Sequence, residues 1–391
     1  METITSYWRV IEPRSVSGYL MPTRVYFGRG ALRYAPELFT QFRRLLVISG
    51  HHLQADPAWQ QFISQLSSRV NITVYPAIIK RSGFSQVNQL IDFIRSDNFD
   101  GVIAAGGGTV IDTAKTAAYL APATGSLEGY LADQTLPDDF ISLPLIAIPT
   151  TAGTGSEVTP WAVVWGDDGK KYSVNSSKAF PLMTIVDPSL TDNLPAKETA
   201  LTGADALTQA VEAYWSNDHN STSDSYALES IGILMNDLSA TVNQPTPELR
   251  DKIMWSSLIT GLAFSNTQTT LCHAVSYPLT IRWGVPHGQA VAITLPLFLR
   301  RIFPLMPSER RAALLFSIGA VDVAEAITKI TDLFTTIGIY QYLSDLRVGL
   351  LDLKWIAEEA LGYNRSTNSL WLPSIDELAT ELMLIYSPSG Q

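Results

Sequence analysis

A chain of 391 residues is too long for one ordinary hydrophobic core, so two domains are expected. An apolar content of 46% is ample for a soluble globular protein, and a formal net charge of −10 argues against a general surface for nucleic acid or anionic membrane. A small anionic substrate remains compatible with that sign, because a local basic pocket can oppose it.

The N-terminal stretch "METITSYWRVIEP" lacks a cationic segment followed by an apolar one, so no secretion signal is expected. "RRLLVIS" (43–49) reads as a buried strand and "PAWQQFISQLSSRV" as a helix. "NITVYPA" (71–77) is a second strand, and 87–96 a second helix with apolar residues at three-and-four spacing. "FDGVIAAGGG" and "LPLIAIPTTAGTG" each run a strand into glycines. This rhythm predicts an α/β fold with a parallel sheet and ligands at the carboxyl ends of its strands. After "MTIVDPSL" the pattern turns helical, through "ADALTQAVEAYWS", "DSYALESIGILMNDLSATV" and "LRDKIMWSSLITGLAFSNT". The expected organisation is an α/β dinucleotide-binding domain over 1–188 with a parallel sheet, followed by an all-α domain over 189–391. "AVAITLPLFLRRIF" is shorter than a membrane span and reads as a buried helix. Cys272 is the only cysteine, which excludes an intrachain disulfide and fits the cytoplasm. Nine Trp and fifteen Tyr leave room for exposed apolar area and a homodimer.

Two glycine-rich loops are the first candidates for chemistry. In "AAGGGTVIDTAK", Gly106, Gly107 and Gly108 follow a strand and open a helix, so a phosphate can approach backbone N–H groups at the helix start. Thr109 adds a hydroxyl, and Asp112 and Lys115 lie in the first turns. The spacing is neither the usual dinucleotide fingerprint nor a P-loop, and a plain turn would also use these glycines. In "IPTTAGTGSEVTP", Thr150, Thr151, Thr154 and Ser156 crowd hydroxyls around Gly153 and Gly155. Turn and helix-cap roles account for the same residues. Two such loops in one α/β domain favour a bound cofactor.

The second candidate is "TLCHAVSYPLTIRWGVPHG", which holds two of the five histidines, His273 and His287. A turn between them can bring both imidazoles to one point. Asp205 can join them, and Gln209 lies four residues on, on the same helix face. Asp205, His273, His287 and the carboxamide oxygen of Gln209 form an oxygen-and-nitrogen set suited to Fe²⁺ or Zn²⁺. The competing reading is two buried, hydrogen-bonded histidines. His51, His52 and His219 supply no clear third imidazole.

The stretches "VYFGRGAL", "GGGTVIDTAK", "PTTAGTGSEVT", "VDPSL", "GADALTQAVEAY", "CHAVSYPL" and "PHG", in this order, resemble the iron-containing, group III, alcohol dehydrogenase family over nearly the whole chain. The resemblance implies a dehydroquinate-synthase-like architecture, a nicotinamide cofactor and a metal. It also implies that Asp205 is the metal-binding aspartate and that His273 and His287 are two of three metal-binding histidines. Gln209 stands where the remaining histidine is usual. Tyr277 replaces a histidine that lies near the catalytic centre of family members, and can hydrogen-bond, donate a proton or fill space. Gly50 occupies the place of an aspartate that repels the 2′-phosphate in NADH-preferring relatives. NADPH is therefore allowed beside NADH, with His51, His52, Lys80 and Arg81 as neighbouring groups.

"GTGSEVTPWAVVW", continued by "KKYSVNSSKAFP", resembles the branch of that family associated with phosphonate metabolism. That resemblance implies reduction of phosphonoacetaldehyde to 2-hydroxyethylphosphonate. A phosphonate dianion needs several donors or cations. Lys171, Ser173, Asn175, Ser176, Ser177 and Lys178 are candidates in one stretch, and Arg282 lies between the two histidines. Surface solubility and turn roles are the alternatives for each. A general aldehyde or alcohol oxidoreductase keeps all of this chemistry without the phosphonate. A metal- and nucleotide-dependent cyclase or lyase is the rival from another class, disfavoured by "GADALTQAVEAY" and "PHG".

Overall fold

The computed structural model describes residues 18–75, 83–133, 136–137, 139–166, 169–340 and 342–387. Lys80 and Arg81 lie outside the described residues. The chain divides into two units, one comprising the residues up to Thr151 and Gly155–Asn193, the other Ala152–Thr154 and Leu194 onward.

The first unit is built on strands β1 (Arg24–Phe27), β2 (Arg44–Ser49), β3 (Asn71–Tyr75), β4 (Gly101–Gly106), β5 (Leu145–Pro149) and β8 (Met183–Val186), with a separate hairpin of β6 (Trp161–Trp165) and β7 (Lys171–Asn175). The six strands pair in the order β1-β8-β5-β4-β2-β3, and every pairing is parallel. Helices α1 (Ala31–Tyr34), α2 (Pro57–Ser67), α3 (Phe84–Arg95), α4 (Gly108–Leu120) and α5 (Leu127–Asp133) link them. The inner strands are apolar almost throughout, as strands covered on both faces must be. Alternate residues feed two cores. Leu46, Ile48, Val102 and Ala104 pack with Val87, Ile91 and Ala114, whereas Leu45, Val47, Ile103 and Ile148 pack with Phe39, Trp59 and Phe62. The carboxyl ends of β2, β4 and β5 lie in line. Gly50 N donates to Ala105 O at 2.9 Å, and Thr150 N to Gly106 O at 3.0 Å. Both glycine-rich loops thus leave the sheet where ligands of such folds bind.

The second unit is helical. It contains α6 (Ala196–Trp215), α7 (Ser221–Asn243), α8 (Pro247–Thr267), α9 (Leu271–Trp283), α10 (His287–Ala292), α11 (Leu295–Ile302), α12 (Ser308–Ile318), α13 (Val323–Thr336), α14 (Leu353–Leu361) and α15 (Ile375–Met383). The stretch from Gly203 to Trp215 of α6 is buried without interruption, including Asp205, Gln209 and Glu212. "AVAITLPLFLRRIF" is not one helix. The chain breaks after Ala292 and restarts at Leu295 with Pro296 in the first turn, where its missing N–H does no harm. Among the described residues, no helix is long and apolar enough to cross a membrane.

Candidate metal centre and cofactor loops

Asp205 and Gln209 sit one turn apart on α6, His273 lies in the first turn of α9, and His287 opens α10. The last placement depends on Gly288. A Cβ at that position would stand 1.9 Å from the carbonyl oxygen of Leu201 on α6, so a side chain there would push α10 away. With glycine, one ligand atom each from Asp205, His273 and His287 comes within 4.8 Å of the others. His273 Nε2 is 3.4 Å and His287 Nε2 3.9 Å from Asp205 Oδ1. Asp205 and Gln209 are both 4% exposed, yet Asp205 Oδ1 and Gln209 Oε1 have no hydrogen-bond partner. Two buried oxygens left without donors are costly, and a cation between them and the imidazoles would offset that cost. Carboxylate, carboxamide and two imidazoles suit a borderline divalent ion, so these residues fit the group expected from the sequence.

Glu212, which the sequence analysis passed over, organises this centre. It lies seven residues after Asp205, two turns along the same face of α6, and is fully buried. One carboxylate oxygen accepts from the Cys272 amide at 2.7 Å and from the Thr270 hydroxyl at 2.8 Å. The other accepts from His273 Nδ1. With Nδ1 as donor, the lone pair of His273 is on Nε2, the atom that faces Asp205. Burial works against ionisation of Glu212. His273 and the Thr270 and Cys272 donors outweigh it, and the carboxyl ends below its ordinary range. Burial likewise opposes charge on His273, but Glu212 and Asp205 raise that imidazole above its usual value.

Tyr277 follows one turn after His273. Its ring lies parallel to His287, with centroids 6.5 Å apart, and meets Tyr363 edge-on at 4.8 Å. Burial pushes the Tyr277 hydroxyl above its ordinary value, an effect Arg365 partly opposes, so the phenol stays protonated at neutral pH. The Arg365 guanidinium lies 5.9 Å from the Tyr277 ring centre.

In the first unit, α4 begins at Gly108 with Gly107 as its cap, and the Gly107 carbonyl accepts from the amides of Val110 and Ile111, so the amides of Gly108 and Thr109 are the ones a helix start offers to a ligand. A Cβ at Gly107 would meet Thr151 at 3.5 Å, an ordinary van der Waals contact, so the two loops lie side by side. Thr109 is exposed at the helix start. Thr150 is buried, and its hydroxyl bonds His52 Nε2 at 3.0 Å. The same imidazole fills the space a side chain at Gly50 would need, 2.8 Å from an added Cβ. An acidic residue at position 50 is thus incompatible with His52 where it stands. Asp112 is turned to the hairpin, accepting from the Val163 amide at 2.9 Å. Lys115, 1% exposed, donates to the carbonyls of Ser156, Thr159 and Trp161 at 2.7, 2.9 and 2.7 Å. It ties the segment that follows Gly155 to α4. Burial brings this lysine down to about 8 and lifts Glu157 to about 7. Thr154 belongs to the second unit, whereas Thr150, Thr151 and Ser156 belong to the first.

The candidates for a phosphonate are placed as follows. Lys171, Ser173 and Asn175 alternate along β7 and so share one face of the hairpin. Lys171 lies over Trp165, with its ammonium 5.6 Å from the ring centre. Lys178 reaches the Pro137 carbonyl at 3.4 Å and lies over Phe140. Arg282 pairs with Asp352 at 3.0 Å between the rings of Trp283 and Trp355. It stands nine residues beyond His273, about 13 Å along α9.

Comparison with known proteins gives the family. A family model described as "Iron-containing alcohol dehydrogenase" matches residues 22–188, and "Fe-containing alcohol dehydrogenase family, C-terminal" matches 199–377. The chain is 31% identical to 1,3-propanediol dehydrogenase of Klebsiella pneumoniae over 357 residues, covering 88% of this chain and 92% of that protein. It is 36% identical over 292 residues to long-chain-alcohol dehydrogenase 1 of Geobacillus thermodenitrificans, covering 72% of each. The solved structure of sulfoacetaldehyde reductase from Bifidobacterium kashiwanohense in complex with NAD+ superposes with a TM-score of 0.88 at 31% identity, covering 95% of this chain and 99% of that one. Matched in both of its units and along almost its whole described length, this chain belongs to the iron-containing alcohol dehydrogenase family and is an oxidoreductase.

Proposed function

We propose that this oxidoreductase reduces phosphonoacetaldehyde to 2-hydroxyethylphosphonate with NADPH or NADH, and that Asp205, Gln209, His273 and His287 hold its divalent cation. The observation that carries the metal assignment is the buried, unpartnered Asp205 oxygen beside two imidazoles, with a second unpartnered oxygen on Gln209 one turn along the same helix. When bound, the cation supplies Lewis acidity toward a carbonyl oxygen and the reduced nicotinamide supplies a hydride. The chain's own residues do the rest. Glu212 fixes the tautomer and direction of His273. Tyr277, protonated and buried beside His287, supplies the proton to the new hydroxyl and regains one from solvent. The first-turn amides of α4 and the hydroxyls of Thr109, Thr150, Thr151 and Ser156 serve the cofactor, with Lys115 keeping Ser156 in place. The absence of an acid at Gly50 admits the 2′-phosphate of NADPH.

Two features support an anionic aldehyde. One is the sequence of the hairpin, with Lys171, Ser173 and Asn175 on one face. The other is the likeness to a protein named for sulfoacetaldehyde, itself an aldehyde carrying a tetrahedral anion. A neutral aldehyde or alcohol is favoured instead by the engagement of Arg282 with Asp352 and of Lys178 with Pro137. Initial rates of NADPH and NADH oxidation with phosphonoacetaldehyde and with propanal separate the two. A strong preference for phosphonoacetaldehyde supports the proposal. Turnover confined to propanal keeps the reductase and removes the phosphonate, and turnover of substrate without net NAD(P)H consumption would point to a cyclase or lyase.

A further inference from the structure

We propose that Arg365 is a specificity residue for the anionic end of the substrate, binding a phosphonate or sulfonate carried at the far end of a short aldehyde. This inference rests on the reading of the neighbouring centre as an aldehyde reductase. Arg365 is half-buried, and among the described residues no acid forms an ion pair with it. Among the described residues its guanidinium donates one hydrogen bond, to the hydroxyl of Thr269. Arg282, Arg301 and Arg310 are each paired with an acid, Asp352, Glu381 and Asp224. A planar guanidinium with donors to spare matches two oxygens of a tetrahedral anion.

Its placement is built rather than incidental. The segment Asn364–Asn368 that carries Arg365 is anchored to the C-terminal ends of α8 and of α6, the latter being the helix that bears Asp205, Gln209 and Glu212. Asn368 Nδ2 donates to Thr267 O at 2.6 Å, Ser216 Oγ donates to Asn368 Oδ1 at 3.0 Å, and Asn217 N donates to Asn368 O at 3.0 Å. From this base the guanidinium reaches the ring of Tyr277, and Tyr277 in turn lies against His287. The metal ligand, the proposed proton donor and the guanidinium therefore follow one another in space. A substrate with its carbonyl at the ligands and its anion at Arg365 needs only a short carbon link past Tyr277.

The test compares wild type with Arg365→Gln and Arg365→Lys, each loaded with cation and checked for metal content. On phosphonoacetaldehyde, kcat/KM of Arg365→Gln is expected to fall about 10- to 100-fold, mostly through KM, with the loss on propanal at least tenfold smaller. Arg365→Lys recovers part of the difference. Equal losses on both aldehydes, or no loss on phosphonoacetaldehyde, overturn the proposal. Methylphosphonate binding by calorimetry gives a second readout that does not depend on turnover. Binding to wild type that weakens tenfold or more in Arg365→Gln supports the role even if phosphonoacetaldehyde is not reduced, a result that would count against the substrate reading alone. No binding to wild type, or equal binding to both, overturns it.

Discussion

Glu212 holds His273 by its Nδ1 edge while the Nε2 edge of the same ring stands 3.4 Å from Asp205 Oδ1. The carboxylate therefore decides which nitrogen is offered to a cation. Glu212→Ala is expected to weaken Fe²⁺ or Zn²⁺ binding by about 10- to 100-fold. Glu212→Gln, whose amide oxygen still accepts from Nδ1, is expected to lose less. Competition against a chelator of known affinity measures both. Equal affinity in wild type and Glu212→Ala would remove Glu212 from the centre.

Gln209 gives the second test. Its Oε1 is buried and unpartnered one turn from Asp205. Gln209→Leu removes a donor oxygen and is expected to lower cation affinity about tenfold or more, at least what an outer partner contributes. Gln209→His adds a third imidazole and is expected to raise it. If Gln209→Leu binds cation as tightly as wild type, the amide is not a ligand.

The dependence of His287 on its neighbour is checked by Gly288→Ala. The added methyl meets the Leu201 carbonyl at 1.9 Å, so α10 must shift and carry His287 with it. A stability loss of about 1–3 kcal/mol is expected, together with weaker metal binding. Thermal unfolding and metal content report the two effects. A variant that matches wild type in both would show that the contact between α10 and α6 yields without cost.

Glu157 makes stability depend on pH. Burial raises its carboxyl from 4.5 to about 7. A group raised on folding contributes stability that is full below its unfolded pKa and is lost as pH rises through the folded one. Glu157 therefore costs stability progressively as pH rises from 4.5 to about 7, by roughly 3 kcal/mol at most. Lys115 has the opposite sign of shift. Lowered from 10.5 to about 8, it contributes stability that is present above 10.5 and lost as pH falls through 8, so it is charged at pH 7. Glu157→Gln is expected to be more stable than wild type at pH 8, with the advantage shrinking toward pH 5 in urea unfolding. A difference that does not change with pH would contradict the assignment.

Much of the α/β unit was legible because inner parallel strands are short apolar runs and the glycines mark their carboxyl ends. The convergence of Asp205, His273 and His287 was one of two readings that the residues allowed, the other being two buried histidines, and the family resemblance favoured it. Glu212 was also within reach, since an acid seven residues after Asp205 in an otherwise apolar stretch has no reason to be buried unless it serves something. Arg365 was not. It sits in "NRSTNSLWLPS", which has no periodicity, and its meaning depends on side-chain anchors from Ser216 and Asn217 some 150 positions earlier in the chain. The β6–β7 hairpin was similarly hidden behind its value as a recognisable stretch, although residues 161–165 alternate in burial as a half-covered strand does. Pro296 marks the break in "AVAITLPLFLRRIF", but an apolar run on both sides of it masks the boundary.

The most direct test of the central claim is aldehyde-dependent NAD(P)H oxidation by enzyme stripped of metal and then titrated anaerobically with Fe²⁺, with bound metal counted at each step and Asp205→Ala run alongside. Activity is expected to be absent in the stripped enzyme, to rise with occupancy to one cation per chain, and to fail to recover in Asp205→Ala. Full turnover by the metal-free enzyme, or recovery of Asp205→Ala at wild-type metal levels, would contradict the assignment of this centre.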